Sequence, residues 1–279
     1  MAQSFLHSLF RLTRFWNLLI LGVTQYCVAG FLISADLIMD PRLLWLMIST
    51  GLIAAAGYII NDYYDVKIDL INKPERVIIG KGITRRYALL FHTVLSVTGV
   101  GIGFIINWKI GMLNFICAFL LWLYSNALKR LPFIGNFTVA LLTGLSVFMV
   151  DLLHAPFHLL VSVYAMFAFF ITLVREIIKD IEDLKGDDTF GCKTLPIVWG
   201  VRRTKYFIYF LLTLFSLTVF MLHRWITPLP LTFFAWALFL PLMALTGWLV
   251  RADTVRDFYQ LSQFCKAIML AGIISMAFL

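Results

Sequence analysis

The chain has 279 residues, 61% of them hydrophobic and only 14% charged, with a net charge of +8. A soluble globular chain carries about 25% charged residues, so a soluble fold is excluded and an integral membrane protein is expected. The positive surplus fits topology-setting lysines and arginines better than a nucleic-acid surface.

Apolar blocks of membrane-spanning length recur along the chain, at roughly 15–35, 43–61, 87–106, 111–128, 133–151, 158–178, 204–222, 229–249 and 260–279. They predict an all-α, polytopic membrane protein: nine transmembrane helices in one bundle, a single domain over 1–279. The opening "MAQSFLHSLF" lacks a basic region ahead of its apolar part, so the first helix is expected to be retained. "RFWN", Arg14 to Asn17, leads into the first span.

The second span, "LLWLMISTGLIAAAGYII", runs straight into "NDYYDVKID", Asn61 to Asp69. "NKPERVIIGKG" follows, with Lys73, Arg76 and Lys81. "GVGIG" at 99–103 lies inside the third span with no strand before it, so close helix packing is expected there rather than a nucleotide loop. "INWK" separates the third and fourth spans. "LYSNALKR" ends the fourth and presents Tyr124, Lys129 and Arg130 at a short turn. The sixth span runs into "REIIKDIEDLKGD", with Arg175, Glu176, Lys179, Asp180, Asp183 and Asp187. "DLLHAPFH" and "HRWITPLP" break the later spans. Cys27, Cys117, Cys192 and Cys265 and the five histidines show no metal or redox spacing. "NFT" at 136–138 matches a glycosylation pattern on what is expected to be the wrong side of the membrane.

With that span count, every Lys and Arg except Arg42, Lys109 and Arg224 falls on the side of the N-terminus. The positive-inside rule then puts the N-terminus in the cytoplasm and the C-terminus outside. The two longest connections, 62–86 and 179–203, are both cytoplasmic and are expected to cap that end of the bundle.

Both connections carry acidic clusters. Asn61, Asp65 and Asp69 are spaced i, i+4, i+8, which is one helix face, with Asp62 turned aside. Asp180, Asp183 and Asp187 are spaced i, i+3, i+7, again one face. Like charges at this spacing repel, so a cation is expected between the stripes. Oxygen ligands select hard cations, and Mg²⁺ binds through few carboxylates plus substrate phosphates. A solvated helix end paired with its own bases is the simpler reading of either motif alone, but less so of two matching motifs on one side. An ion-coupled transporter is a further alternative, although the acids sit at helix ends rather than at the midplane.

Together these residues resemble the UbiA superfamily of intramembrane prenyltransferases, from about Arg14 to Trp199. "NDYYDVKID" is similar to its NDxxDxxxD motif, "DLKGD" to its DxxxD motif, and "RFWN" to its first-helix Arg-x-x-Asn; Val77 and Ile79 replace the prolines usual in the basic segment. "LYSNALKRLPFIGNFTVALLTG" and "REIIKDIEDLKGDDTFGCKTLPI" look like the digeranylgeranylglyceryl phosphate synthase branch.

The resemblance implies Mg²⁺-dependent prenyl transfer from a prenyl diphosphate, geranylgeranyl diphosphate in that branch, to a glycerol-phosphate lipid. An aromatic acceptor in quinone or pigment synthesis is the alternative. It implies two Mg²⁺ ions held by Asn61, Asp65 and Asp69 and by Asp183 and Asp187. Catalysis would involve Asp65, Asp183, Lys129 and Tyr124. Arg14, Asn17, Lys73, Arg76, Lys129, Arg130 and Arg175 would bind substrate. Phe115, Phe119, Trp122, Phe148 and Phe169 are candidates to line a prenyl cavity, with lipid-facing or packing roles the simpler reading of each. The setting implied is the bilayer of a bacterial or archaeal cell membrane, with the site on the cytoplasmic side.

Overall fold

A computed structural model of the chain describes residues 5–72, 74–154, 157–223 and 235–278. Among these, eight helices are long and apolar enough to cross a membrane, and the protein is a multi-pass integral membrane protein. The bundle comprises α1 (Phe5–Leu12), α2 (Phe15–Cys27, continued by a π-helical turn over Val28–Ile33), α3 (Pro41–Asn72), α4 (Arg85–Ile106), α5 (Trp108–Asn126) and α6 (Ile134–Leu153). It continues with α7 (Leu159–Glu182), the short α8 (Leu184–Thr189) and α9 (Leu195–Trp199), then α10 (Val201–His223), α11 (Leu240–Arg251) and α12 (Val255–Ser275).

Seven of the expected spans coincide with α2, α3, α4, α5, α6, α7 and α10, and the last with α12. The block expected at 229–249 emerges as the 12-residue α11, preceded by a π-helical turn over Ala235–Phe239. Its first part and Arg224 lie outside the described residues.

Two helices outrun the expectation. α3 has 32 residues, about 48 Å at 1.5 Å per residue, against about 30 Å of hydrocarbon. The segment 62–72, expected as the start of a cap, is therefore the end of a rod. α7 likewise reaches Glu182 before α8 and α9 take over. The short amphipathic α1 was not expected. Its Ser8 and Leu12 are buried while Phe5 and Leu6 face outward, and Leu12 joins Ile59, Ile78, Ile79, Ile83 and Ala88 in one apolar cluster.

The glycines of "GVGIG" serve close approach. A Cβ on Gly99 would stand 2.9 Å from the Ser49 carbonyl oxygen, and one on Gly103 2.5 Å from Asn114 Nδ2. The proximity allows Asn114 Nδ2 to donate to Ser49 Oγ and Ser49 Oγ to donate to the Gly99 carbonyl, both at 2.6 Å. Buried polar groups in a bilayer need such partners. Only Asn107 separates α4 from α5. It is extended at φ −165° and caps α5 by accepting from the Lys109 N–H at 2.9 Å.

α7 is central. Its residues enter both large apolar cores, one shared with α10, α11 and α12 and one shared with α2, α3, α5 and α6. Phe148 and Phe169 pack against these cores, whereas Phe115, Phe119 and Trp122 are exposed on the outer surface of α5. The four cysteines are free.

Candidate active site

The acidic end of α3, the α5–α6 turn and the α7–α8 junction meet at one end of the bundle. Lys129 lies in a turn of 3-10 helix, Leu128–Arg130, directly after α5. The following Phe133 sits at φ 66°, a left-handed backbone that a non-glycine residue enters only under local constraint. Gly135 packs against that turn, where a Cβ would come within 2.8 Å of the Lys129 Cα. The turn is thus tightly specified, and it presents Lys129 to Asp65 in a direct ion pair. Side-chain exposures of 9% and 16% make this a buried pair. Removing one member of a buried pair strands the other charge, at a cost of about 3–5 kcal/mol.

Asp62, the residue turned aside from the stripe, binds Arg14. Nη2 of Arg14 donates to its Oδ1 at 2.8 Å, and the guanidinium lies 4.7 Å from the centroid of the Tyr58 ring. Arg14 bridges α1 and α2 with a left-handed φ of 51°, and the bend swings its side chain onto α3. Asp62 and Asp69, with Val66, line a shallow cleft closed by Val77, Ile78 and Ile79. Asp65 pairs with Lys129, while Asp62 and Asp69 also line the cleft on the side of the 77–79 segment.

The second motif docks on the first. Asn72 Nδ2, at the end of α3, donates to the Asp183 carbonyl at 3.3 Å. Gly186 packs so closely that a Cβ there would lie 2.4 Å from Asn72 Nδ2. Beyond α8, the chain returns to the α5–α6 turn, where the Lys193 N–H donates to the Arg130 carbonyl at 2.8 Å. The carboxyl of Asp187 is pushed up to about 7, by burial first, then by Asp183, and in smaller part by Asp65. The two acidic motifs are thus within electrostatic reach of each other. Burial and the Asp187 charge also push the Cys192 thiol up, so it is not a poised nucleophile.

Tyr124 stands among Asp65, Asp180 and Glu176, within Coulomb range of all three. Asp180 accepts from Asn136 Nδ2 at 2.9 Å. Asn136 is 7% exposed, so the "NFT" asparagine is a buried partner of the second motif. Arg175 pairs with Glu176 through Nη1. Of the other expected substrate-binding residues, Arg130 is exposed at the rim, and Asn17 is exposed with no side-chain bond to the acidic motifs among the described residues. Lys73 and the Arg76 side chain lie outside the described residues.

Sequence reasoning missed two partnerships, Arg14 with Asp62 and Asn136 with Asp180, and gave Glu176 no role. The available signal was the spacing of Glu176. It precedes Asp180 by four residues, one turn along α7, whereas Asp187 lies beyond the end of that helix on α8.

The donor set fits Mg²⁺. Asn61 Oδ1 is a buried acceptor without a hydrogen-bond partner, and the surrounding groups are hard oxygens. Among the described residues no three Asp, Glu, His or Cys side chains are arranged to hold a metal by themselves. The stripes are open, as expected for an ion that takes a few carboxylates and completes its shell with phosphate. On the anion side, Arg175 Nε is buried and unpartnered.

Comparison with known proteins agrees with this geometry. The sequence profile of the UbiA prenyltransferase family matches residues 24–266. A digeranylgeranylglyceryl phosphate synthase of Saccharolobus solfataricus is 35% identical over 202 residues, 71% of each chain. That of Methanosphaera stadtmanae is 37% identical over 183 residues, 66% of this chain and 65% of the relative. Among solved structures, one from work on digeranylgeranylglyceryl phosphate synthase in membranes is 26% identical, with a TM-score of 0.76 over 98% of this chain and 97% of that one. A UbiA homolog from Archaeoglobus fulgidus bound to GPP and Mg²⁺ shares the fold at 16% identity, with a TM-score of 0.72 over 97% and 99% of the two chains.

Proposed function

Because the chain belongs to the UbiA prenyltransferase family, we propose that it transfers a geranylgeranyl group from geranylgeranyl diphosphate to geranylgeranylglyceryl phosphate. The name of its relatives supports this acceptor. The observation that carries the reading is the meeting of the Asp65–Lys129 pair with the Asp183–Asp187 junction at one end of an apolar bundle.

Asn61, Asp65 and Asp69 on one side and Asp183 and Asp187 on the other would hold two Mg²⁺ ions. Bound there, the metal neutralises diphosphate charge and makes it a better leaving group. The protein's own groups do the rest. Lys129 has two partners available, Asp65 in the resting site and the departing diphosphate during reaction. Arg130, Arg76 and Lys73 supply further positive charge at the rim, where arginine suits bidentate phosphate contact. Tyr124 is placed beside the acids to orient the reacting ends. The allylic C–O bond breaks with carbocation character, the acceptor hydroxyl oxygen forms the new C–O bond, and its proton passes to the departing diphosphate. Water would intercept the cation. The junction from α8 to Lys193, held to the Arg130 carbonyl, would serve as the cover that keeps water out.

The bundle has nine crossings in this reading, the segment 235–251 belonging to the crossing not counted among the eight. The charge asymmetry then places the N-terminus and the site in the cytoplasm.

The test uses purified protein with labelled geranylgeranyl diphosphate, Mg²⁺ and each acceptor class in turn. Transfer to geranylgeranylglyceryl phosphate, abolished by EDTA and restored by Mg²⁺, is the expected result. Transfer to an aromatic acid alone would overturn the acceptor assignment.

A further inference from the structure

The mechanism leaves α1 without a role. Its side chains sort into three faces, each a pair of residues four apart. Ser8 and Leu12 are fully buried against the bundle. Leu6 and Phe10 are 76% and 40% exposed. His7, which is exposed, and Arg11, which is half-buried, form the third face. Successive residues turn by about 100°, so a bundle face, an apolar face and a polar face divide the circumference. That pattern suits a helix that meets protein, hydrocarbon and water at once.

The neighbours of α1 fix its level. Leu12 meets Ile59, in the last apolar turn of α3 before Asn61 and Asp62, and Ala88, in the first turn of α4 after Arg85 and Arg86. Ser8 sits against Gly82, where a Cβ would come within 2.4 Å of its Oγ. Arg11 donates from Nη2 to the Glu75 carbonyl at 3.3 Å, and Arg14, just beyond the helix, donates to Asp62 at 2.8 Å. α1 therefore stands where charge gives way to hydrocarbon on both α3 and α4.

The apolar face is continuous with surfaces that membrane spans present to lipid. At the start of α1 the Phe5 ring lies 6.1 Å from that of Phe91 on α4, a span whose Leu90 and Val94 are exposed. At the other end the Phe10 ring stacks on Phe15 at 4.6 Å and meets Trp16 edge-on at 6.2 Å. Phe15 and Trp16 open α2, a span that also exposes Leu19, Ile20 and Val23. Aromatic side chains of this kind collect at the membrane–water boundary.

We propose that α1 is an interfacial helix whose partner is the phospholipid surface beside the acidic motifs. Leu6 and Phe10, joined by Phe15 and Trp16, sit among the acyl chains beneath the headgroups, and His7 and Arg11 face headgroups and water. An apolar helix face in this setting sinks about 5–10 Å into the headgroup boundary. The bilayer surface then bears on Arg14, which stands between Phe10 and Phe15 and holds Asp62.

The test places a nitroxide at Leu6→Cys, Phe10→Cys and, one at a time, His7→Cys, in the full chain reconstituted into nanodiscs of phosphatidylcholine and phosphatidylglycerol. The native cysteines are buried or half-buried, and the parent taken through the same labelling is the blank. Power-saturation spectroscopy compares collisions with oxygen, which concentrates in hydrocarbon, and with a water-soluble nickel chelate. Val97→Cys on α4, 67% exposed within a span, gives the lipid standard, and Asp253→Cys, whose side chain is 87% exposed, the water standard. The oxygen-to-nickel ratio is expected to be several-fold higher at positions 6 and 10 than at position 7. A variant that does not elute as the parent does is replaced by Phe5→Cys. Nickel access at all positions would make α1 a solvated helix and overturn the proposal. Oxygen preference at all of them, position 7 included, would immerse the helix and overturn it too. Shielding of 6 and 10 from both reagents would mean that protein covers the face, with line broadening that disappears on dilution by unlabelled chain identifying a second copy.

Discussion

Asn136 donates its side-chain amide to Asp180 at 2.9 Å, joining the start of α6 to the second acidic motif on α7. The bond holds one oxygen of Asp180, next to the Asp183 and Asp187 proposed to bind metal. Asn136→Ala should lower stability by about 1–3 kcal/mol, the cost of leaving a buried acceptor unsatisfied. Asn136→Asp should do worse, by setting two carboxylates face to face. Thermal unfolding in detergent checks the order. An Asn136→Asp protein as stable as its parent would refute the pairing.

Lys129 pairs with Asp65, so in the proposed site it would compete with metal for that carboxylate. Lys129→Met should therefore lower kcat by about a hundredfold through loss of charge stabilisation on the leaving group, yet lower the Mg²⁺ concentration needed for half-saturation. The two effects have opposite signs, so a Mg²⁺ titration of the variant separates them. An unchanged or higher Mg²⁺ requirement together with unchanged kcat would contradict both roles.

Asp187 sets a pH dependence. Its carboxyl is raised to about 7, chiefly by burial and then by Asp183, so below that pH a proton must leave before a cation binds. Mg²⁺ half-saturation should rise as pH falls through 7, by at most about tenfold per unit for one displaced proton. Stability of the metal-free protein should run the other way. A raised carboxyl binds its proton more tightly in the fold, so its contribution is greatest in acid and is lost as pH climbs toward 7. Asp187→Asn should flatten both curves, and a Mg²⁺ requirement independent of pH between about 5.5 and 8 in the parent would sink the assignment.

Gly186 allows α8 to rest on the end of α3. In Gly186→Ala the new methyl meets the Asn72 side chain, whose displacement breaks its bond to the Asp183 carbonyl. Overpacking of this kind costs about 1–3 kcal/mol, and activity should fall with it. Asn72→Ala removes the obstacle, so the double variant should recover part of the stability that Gly186→Ala loses. No recovery in a double-mutant cycle would show that the close contact is not the cause.

Much of the bundle was legible because membrane spans are written in length and composition. α2, α4, α5, α6 and α12 begin or end within a few residues of their apolar blocks. The first acidic stripe was legible because Asn61, Asp65 and Asp69 lie on one continuous helix; the second was not a single face, because α7 ends at Glu182 and Asp187 lies on the separate α8. What was not legible is partner choice across the bundle. Lys129 and Asp65 are 64 positions apart, Arg14 and Asp62 48, and Asn136 and Asp180 44. Which base meets which acid depends on how helices cross and on two left-handed turns, at Arg14 and Phe133. Nothing local in "RFWN" or "LPFIGN" announces those turns. The ends of α3 and α7 were misjudged for a related reason, since hydropathy reports where the bilayer stops and not where the helix does.

α3 carries its acids on the same unbroken rod that crosses the bilayer. The embedded half therefore acts as a gauge for the chemistry beyond it. One residue added or removed between Pro41 and Tyr58 would turn Asp65 by about 100° and slide it about 1.5 Å along the axis, away from Lys129 and toward lipid. The same change in a loop would be absorbed. Register in the membrane and the aim of Asp65 at Lys129 are, for this helix, a single variable.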